Sequence, residues 1–254
     1  MPVTAQQVPQ LTDELVESYR HRGFVRIPQI LTAAEVERFR DAVVAYRRRV
    51  KPPVDQSVFD QYVDVWRADD TLAQLTRHPA LGEAAERLAG VPLRLWHDQV
   101  LVKDPHNGTP TEFHQDQPYW PHSQPRRALS AWVALVDVPV ERGCMTFLPG
   151  SQNRTDLSAQ DLNDHWSLQS MWPESAWAER VTLPVRAGDC TFHSAYTAHT
   201  ANPNETDEAR IAHVTIFMDA GTTYSGSPHV VTDPLGLTVG ATFPDDRFPR
   251  VGQL

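Results

Sequence analysis

The sequence is poor in cysteine, with only Cys144 and Cys190 among its 254 residues. The two stand in separate strand-like segments, without the spacing of a metal or redox motif. We therefore expect two reduced thiols packed in the core, and no scaffold that depends on disulfides.

Long apolar runs are absent as well, and the amino terminus, Met1-Pro2-Val3-Thr4, lacks the basic and apolar regions of a secretory signal. We therefore expect a cytoplasmic protein without a membrane partner. Positive charge is also scarce, because 23 Lys and Arg against 32 Asp and Glu leave a formal net charge of −9. That balance disfavours polyanions, so we expect a small-molecule substrate and no nucleic-acid partner.

No low-complexity linker or shift in composition divides the chain, which predicts a single domain over residues 1–254. Residues 1–92 are predicted to be mainly helical support. Residues 93–221 carry the strand-like segments and include an irregular insert at 156–177, and a tail follows at 222–254.

Helical patterns dominate the first part of the chain. Thr32 and Glu35 form a capping-box pattern before a helix that must end ahead of Pro52, and Pro79–Leu88 is a second helix stopped by Gly90.

From residue 93 onward the apolar period changes to two. The predicted strand faces are Leu93, Leu95, His97, Gln99 and Leu101 on one strand, and Leu129, Ala131, Val133 and Leu135 on another. Both phases of the second strand are largely apolar, so both of its faces are expected to be covered. This pattern fits a mostly β fold with flanking helices, a jelly-roll barrel or double-stranded β-helix of the cupin type.

The tripeptide His114-Gln115-Asp116 brings together the side-chain types of a metal site. In an extended strand alternate side chains share a face, so His114 and Asp116 converge on one ion while Gln115 points elsewhere. Two histidines and a carboxylate on one side of an ion leave the opposite positions open, as in the facial triad of Fe(II) oxygenases. Alone, the tripeptide is also compatible with a surface hydrogen bond, because the chain has 11 histidines.

A second cluster supplies another histidine, His199, and an arginine, Arg210, that opens an apolar strand. The residues in phase with this arginine are Ala212, Val214, Ile216 and Met218. Arg210 therefore faces a core, where a guanidinium needs an anionic partner, and its fork matches a carboxylate. A ligand carboxylate meets that need. The alternatives are an internal Asp or Glu, or an arginine that reaches water from the end of the strand.

Together these motifs resemble the phytanoyl-CoA dioxygenase family of Fe(II)/2-oxoglutarate oxygenases. The matching segments, from Gly23-Phe24-Val25 up to about Gly221, are 113–120, 131–135, 143–151, 187–189, His199, Asn204 and Arg210. The resemblance implies that His114, Asp116 and His199 hold Fe(II). It also implies that Arg210 binds the distal carboxylate of the cosubstrate 2-oxoglutarate, with O₂ as the oxidant.

The resemblance further implies that Trp132 and Gln99 line the cosubstrate, although an ordinary place in the barrel core also explains Trp132. Some relatives have a serine two residues after the distal histidine, where this chain has Ala201. One hydroxyl contact to the cosubstrate is then missing unless the neighbouring Thr200 compensates. The acidic ligand Asp116 implies that the chain does not halogenate, because halogenating relatives lack an acidic ligand there.

Substrate contacts are expected from Gln115, Tyr119 and Trp120, beside the metal motif. The insert at 156–177 contains three tryptophans and is predicted to form a lid over the barrel mouth. The alternative is a pair of surface helices whose tryptophans cover the edges of the core.

Four further histidines have expected places. His193 is a core residue or a support of the metal site, and His213, on the face opposite Arg210, is structural. His106 and His122 are either solvated or in contact with substrate.

The resemblance implies an enzyme that hydroxylates a small organic molecule or an acyl-type metabolite and releases succinate and CO₂. The same cofactor chemistry gives desaturation, cyclisation or epimerisation in natural-product biosynthesis when the substrate is held differently, and this is the alternative. From other classes, a zinc hydrolase, which would not need Arg210, and a non-catalytic metal-binding barrel stay open.

Overall fold

A computed structural model describes residues 11–51, 58–124 and 126–253 of the chain, which form five α-helices and ten β-strands. The helices are α1 (Asp13–Arg22), α2 (Ala33–Arg49), α3 (Asp70–Thr76), α4 (Pro79–Ala89) and α5 (Ser167–Met171). The strands are β1 (Phe24–Ile27), β2 (Asp60–Val63), β3 (Leu93–Lys103), β4 (Thr111–His114), β5 (Leu129–Ala134), β6 (Met145–Phe147), β7 (Val181–Leu183), β8 (Cys190–Ser194), β9 (His199–Ala201) and β10 (Arg210–Asp219).

The strands pair antiparallel in two sheets. One has six strands in the order β1-β8-β5-β10-β3-β2, and the other has four in the order β4-β9-β6-β7. Side chains of both sheets, with Trp132, Val214 and Phe147 among them, share one apolar cluster between the sheets. This arrangement confirms the predicted mostly β fold with flanking helices and a double-stranded β-helix core.

The helices α1 to α4 cover the other face of the six-stranded sheet. In α2, Val36, Phe39 and Val43 are buried and join a cluster that includes outward-facing residues of β5 and β8. Thr32 and Glu35 form the predicted capping box, and α2 ends at Arg49; the prolines at 52 and 53 lie outside the described residues. The helix α4 ends at Gly90, whose φ of 69° is a left-handed conformation that favours glycine.

The prediction that Leu93 and Leu95 share a face of β3 with His97, Gln99 and Leu101 is wrong. The register with β10 shifts between Ile216 and Phe217, so that Leu95 pairs with Phe217 and His97 pairs with Ile216. The extra residue, Trp96, is a bulge, and a bulge reverses which side chains face inward. Leu93 therefore packs on the helix side, whereas His97, Gln99 and Leu101 line the space between the sheets.

The first 92 residues are less purely helical than expected, because β1 and β2 form the two edges of the six-stranded sheet. Cys144 and Cys190 are buried free thiols, as predicted, and burial raises the pKa of both. Among the described helices, none has the length and hydropathy to span a membrane.

His122 was expected to be solvated or in contact with substrate, and the structure contradicts both. It packs against Trp96, Trp120 and Phe243, and both of its ring nitrogens are buried without a hydrogen-bond partner among the described residues. Burial, with smaller contributions from His229 and Arg126, lowers the pKa of His122 from 6.5 to about 3.

We expect the metal-free protein to lose stability as the pH falls below 6.5, because the unfolded state then protonates His122 while the folded state stays neutral down to about pH 3. Such a histidine changes the free energy of unfolding by roughly 1.4 kcal/mol per pH unit. The substitution His122→Phe keeps the ring and removes the titration, so the variant should lose about 2 kcal/mol less between about pH 6.5 and pH 5. Urea unfolding at both pH values measures this difference, and equal losses in the two proteins would contradict it.

Candidate metal and cosubstrate site

His114, Asp116 and His199 are close enough to hold one metal ion, because one ligand atom from each lies within 4.8 Å of the others. Oδ1 of Asp116 is 3.6 Å from Nε2 of His114 and 3.9 Å from Nε2 of His199. The two imidazole rings, with centroids 4.3 Å apart, come from neighbouring strands, since His114 on β4 is the register partner of His199 on β9. The sequence predicted all three residues.

The local geometry differs from the extended strand assumed for the tripeptide. The strand β4 ends at His114, and Asp116 has helical backbone angles, with φ −73° and ψ −40°, where a short 3₁₀ helix over Gln117–Tyr119 begins. The turn therefore brings the carboxylate towards His114. His114 and Asp116 are therefore not alternate residues of one strand.

The prediction that Gln115 contacts substrate is wrong. Its side chain is fully buried, and its Nε2 donates hydrogen bonds to the carbonyl oxygens of Arg154 (2.8 Å) and Tyr196 (2.6 Å). Its backbone N–H donates to Oε1 of Gln160 at 2.8 Å. Gln115 thus holds the supporting loops together on the side away from the metal ligands.

Both ligand histidines are oriented by their own backbone. Nδ1 of His114 lies 2.8 Å from the carbonyl oxygen of Glu112, and Nδ1 of His199 lies 2.9 Å from that of Thr197. A carbonyl only accepts, so each Nδ1 carries the proton and each Nε2 keeps its lone pair for a metal. Burial, with His114 and His193 nearby, lowers the pKa of His199 to about 3, which keeps it a neutral ligand.

Asp116 uses its two oxygens differently. Oδ1 faces the ligand histidines, whereas Oδ2 accepts a hydrogen bond from Oγ of Ser130 at 3.1 Å and lies 3.5 Å from Nε2 of His193. Burial raises the pKa of Asp116, but the nearby imidazoles of His199, His114 and His193 outweigh it and hold the pKa well below its usual range. Two imidazoles and an ionised carboxylate are the donor set that suits Fe(II), so the residues fit this metal.

We expect Ser130→Ala to weaken Fe(II) binding by roughly 10- to 100-fold, the usual cost of losing a group that orients a ligand. Thr191→Val is the matched control, because Oγ1 of Thr191 is buried on the neighbouring strand without a hydrogen-bond partner among the described residues. Anaerobic titration with Fe(II) measures both affinities. Equal affinity in Ser130→Ala and the wild type would remove the proposed role of Ser130.

Arg210 is 1 % exposed, and its Nε and Nη2 are buried without a hydrogen-bond partner among the described residues. Neither predicted alternative holds, because no described Asp or Glu pairs with it and its side chain does not reach water. Burial lowers the pKa of Arg210 to about 10, so it remains charged at neutral pH. The unpaired guanidinium lines the same cavity as the metal ligands and fits the distal carboxylate of 2-oxoglutarate.

Trp132 and Gln99, the other predicted cosubstrate residues, also line this cavity. The Arg210 guanidinium lies 5.7 Å from the centroid of the Trp132 ring. Nε2 of Gln99 is 3.1 Å from Nε2 of His97, which belongs to the same wall.

Thr200 does not compensate for the missing serine. Its hydroxyl donates a hydrogen bond to the carbonyl oxygen of Thr111, so it is used within the sheet. Ala201 does line the cavity, and so does its register partner on β4, Thr111. Thr111 is therefore the threonine that faces the position left by the missing serine.

The cavity beside the metal ligands has a volume of about 380 Å³. Tyr119 and Trp120 line it, as predicted for substrate contacts, and the tail adds His229 and Val230. The insert at 156–177 contributes Leu162 to the wall.

The aromatic side chains of the insert do not form the expected lid. Trp166 and Trp177 are 63 % and 91 % exposed, and Trp172 packs on a small cluster around Leu148 and Leu168. Two histidines lie elsewhere: His106 pairs with Asp207 on the surface, and His213 is buried on the helix side of the sheet.

A family model described as phytanoyl-CoA dioxygenase (PhyH) matches residues 19–212. L-proline trans-4-hydroxylase from Streptomyces griseoviridis is 30% identical over 145 residues, which are 53% of this chain and 53% of that protein. The match to phytanoyl-CoA dioxygenase domain-containing protein 1 from Mus musculus is 27% identical over 164 residues, 62% of this chain and 56% of that protein. The chain thus spans about half the length of these curated relatives.

Solved structures match over more of the chain. The structure of SnoK, an α-ketoglutarate-dependent carbocyclase from nogalamycin biosynthesis, has a TM-score of 0.87 and 36% identity over 98% of this chain and 99% of that chain. The epimerase SnoN, in complex with Fe³⁺, α-ketoglutarate and nogalamycin RO, has a TM-score of 0.82 and 39% identity over 94% and 98% of the two chains.

Proposed function

The chain belongs to the phytanoyl-CoA dioxygenase family and is an Fe(II)/2-oxoglutarate-dependent oxygenase, and we propose that it epimerises or cyclises a natural product whose reacting part is an uncharged ring system. The observation that carries this proposal is the similarity to SnoK and SnoN over nearly the whole chain. These two proteins use the same cosubstrate for different reactions, so the position of the substrate distinguishes the outcomes. Membership of this family sets aside the zinc hydrolase and the non-catalytic barrel.

In the proposed assignment His114, Asp116 and His199 hold iron, and Arg210 binds the distal carboxylate of 2-oxoglutarate. Iron, 2-oxoglutarate and O₂, when bound, supply the removal of a hydrogen atom from a substrate carbon, with formation of succinate and CO₂. The protein contributes geometry: Ser130 fixes the carboxylate of Asp116, and the backbone fixes both imidazoles. The remaining cavity walls then determine which substrate carbon faces the iron.

The charges of the cavity support an uncharged reacting part of the substrate. Among its described lining residues, only Asp116 and Arg210 are Asp, Glu, Lys or Arg. Both are used in the assignment above, one for iron and one for 2-oxoglutarate. A charged group on the substrate would therefore be buried there without a partner, which is costly.

Uncharged hydrogen-bonding groups form one part of the wall. Burial lowers the pKa of His97 well below 6.5 and that of His229 to about 4, so both imidazoles are neutral at pH 7. Nδ1 of His97 is buried without a hydrogen-bond partner among the described residues. His97, His229 and Gln61 thus offer donors and acceptors that suit hydroxyl, ether and carbonyl groups.

Apolar side chains form the rest of the cavity wall. Among them, Trp120, Leu101 and Val214 can pack against the faces of a ring system. A volume of about 380 Å³ has to hold iron, 2-oxoglutarate and the reacting part of the substrate. Val230, 67 % exposed at the wall, marks where the rest of a larger substrate leaves the cavity.

Hydroxylation was the main expectation from the sequence and is now the second candidate. It is supported by the 30% identity to L-proline trans-4-hydroxylase, over 53% of the chain. A free amino acid carries two charges, however, and the cavity has no charged group left to bind them.

The test is purification without oxygen, loading with Fe(II), and measurement of succinate formed from 2-oxoglutarate and O₂. Three substrate groups are then compared: nogalamycin RO (the compound in the SnoN complex), L-proline, and an acyl-CoA. We expect only nogalamycin RO to stimulate succinate formation. Mass spectrometry and NMR should show the loss of two hydrogens with ring closure, which balances with succinate, CO₂ and water. With a reductant such as ascorbate in the assay, which must return the hydrogen atom, they should instead show an unchanged mass with inverted configuration.

A product that gains one oxygen atom would favour the hydroxylase, whatever the substrate. Stimulation by L-proline or acyl-CoA alone would contradict the proposed class of substrate. The substitution His114→Ala is the control, because succinate formation that survives it does not come from the proposed site.

A further inference from the structure

A second, polar cavity of about 590 Å³ lies away from the metal site and shares no lining residue with the substrate cavity. Three arginines line it: Arg20 from α1, and Arg126 and Arg127 from the segment that leads into β5. The other polar side chains of its wall are the hydroxyl groups of Tyr19, Thr155, Ser194 and Tyr196 and the amides of Gln124, Gln152 and Asn153.

The charge of this cavity is opposite to that of the protein. The chain has 32 acidic and 23 basic residues, yet no Asp or Glu is among the described lining residues. Arg20 pairs with Glu17 at 2.7 Å, but both side chains are more than half exposed, so this pair is weak. Arg126 and Arg127 form no ion pair among the described residues.

Arg126 is held in place for a ligand. Its Nη1 donates to the hydroxyl of Tyr196 at 2.9 Å, while its Nε is buried without a hydrogen-bond partner among the described residues. A buried donor left unpaired costs free energy, and an anion in the cavity would satisfy it. Burial raises the pKa of Tyr19 although Arg127 opposes the shift, so this phenol stays a donor.

The end of α1 does not repel an anion from the cavity. The last carbonyl groups of a helix carry partial negative charge. Here Nε2 of Gln152 donates to the carbonyl oxygens of Arg20 and His21, at 3.1 Å each, and the N–H of Gly150 donates to that of Arg22 at 3.1 Å. The carbonyls that would face an anion are therefore already paired.

We propose that this cavity is a binding site for a phosphate-bearing small molecule, separate from the 2-oxoglutarate site. Arginine forks match phosphate oxygens, and the amides and hydroxyls nearby add uncharged donors. The cavity is connected to the metal centre along the sequence. Ser194 and Tyr196, which line the cavity, stand between His193, which contacts Asp116, and the metal ligand His199.

Isothermal titration calorimetry of the full chain with inorganic pyrophosphate tests the proposal, without added iron because pyrophosphate chelates it. We expect one binding site that weakens with salt. The variant Arg126→Gln/Arg127→Gln should bind at least about 10-fold more weakly, given two lost charge-assisted contacts. The single variant Arg127→Gln keeps the hydrogen bond from Arg126 to Tyr196, and it replaces the double variant in this test if that variant does not fold.

The variant Arg38→Gln/Arg48→Gln is the matched control, because it removes the same charge from the exposed side of α2 and should leave the affinity unchanged. Arg210→Gln should also bind pyrophosphate as the wild type does, which separates the cavity from the 2-oxoglutarate site. ADP as a second probe distinguishes the source: tighter binding than pyrophosphate indicates a nucleotide, and weaker binding an inorganic anion. No binding at about 1 mM pyrophosphate, or equal losses in both double variants, would overturn the proposal.

Discussion

Replacing Arg210 with methionine is expected to weaken 2-oxoglutarate binding by at least about 100-fold, because removing one partner of a buried, hydrogen-bonded charge pair costs several kcal/mol. The metal ligands do not contact Arg210, so Fe(II) binding should be retained. Calorimetric titration of 2-oxoglutarate into the anaerobic Fe(II) protein measures the first effect. Succinate formation at subsaturating 2-oxoglutarate should fall by the same factor.

The same substitution should leave the ligand-free protein as stable as the wild type, or more stable. Arg210 is buried with two unpaired nitrogens among the described residues, and the buried Lys103 lies beside it in the pairing of β10 with β3. Burial, with a contribution from the charge of Arg210, lowers the pKa of Lys103 to about 7. Methionine removes a desolvated charge and its repulsion, and so raises or preserves the free energy of unfolding.

Arg142→Met is the matched control. Arg142 is largely buried, pairs with Glu208 at 2.9 Å and donates to the carbonyl oxygen of Ala209 at 2.8 Å, but it does not line the cavity. Its loss should lower stability and leave 2-oxoglutarate binding unchanged. Wild-type affinity for 2-oxoglutarate in Arg210→Met would show that the arginine is not the anchor, and a large loss of ligand-free stability would show that it is structural.

The contrast between two paired strands shows what periodicity predicts. In β10, Arg210 and its alternate residues all face the space between the sheets, because the strand runs without an inserted residue. In β3, the bulge at Trp96 turns Leu93 to the helix side, and Leu95 pairs with Phe217, which also lies on that side. A bulge depends on packing with the partner strand, and here the bulged residue is a tryptophan seated among the aromatic rings of Phe243 and Phe248 from the tail. The alternation of residues within β3 therefore does not predict the bulge.

The candidate site divides in the same way. His114 and Asp116 are recognisable because they are neighbours in sequence, and Arg210 because a charge stands in an apolar phase. Ser130, which fixes Asp116, was missed as a support, although it shares a strand phase with Trp132 and that phase faces the cavity. His193 was left between a core and a supporting role, since only the pairing of β5 with β8 brings it to Asp116.

In the part of the chain that the structure describes, a carboxylate–histidine cluster lies on each face of the six-stranded sheet. Asp98 and His213 are both fully buried on the helix side, with Oδ2 of Asp98 3.3 Å from Nε2 of His213 and 2.7 Å from Oγ1 of Thr76. Asp116 lies on the other face, beside His114 and His199, and its cluster lines the cavity. The Asp98 cluster offers one imidazole and is closed, whereas the Asp116 cluster offers two and lines the cavity. The number of ligands and access to the cavity together separate a metal site from a structural pair.

We therefore expect two matched substitutions to affect different properties, one of them metal binding and the other stability. Asp116→Asn should reduce Fe(II) affinity and succinate formation by more than the roughly 100-fold typical of groups that only orient a ligand, because it removes an anionic ligand. Asp98→Asn should lower the free energy of unfolding by about 3 kcal/mol, as expected when one partner of a buried pair is lost, and leave turnover per folded molecule unchanged. Iron titration, succinate assays and urea unfolding of both variants measure these effects. Wild-type turnover in Asp116→Asn would show that this carboxylate is not a ligand, and loss of iron binding in Asp98→Asn would show that access to the cavity does not separate the two clusters.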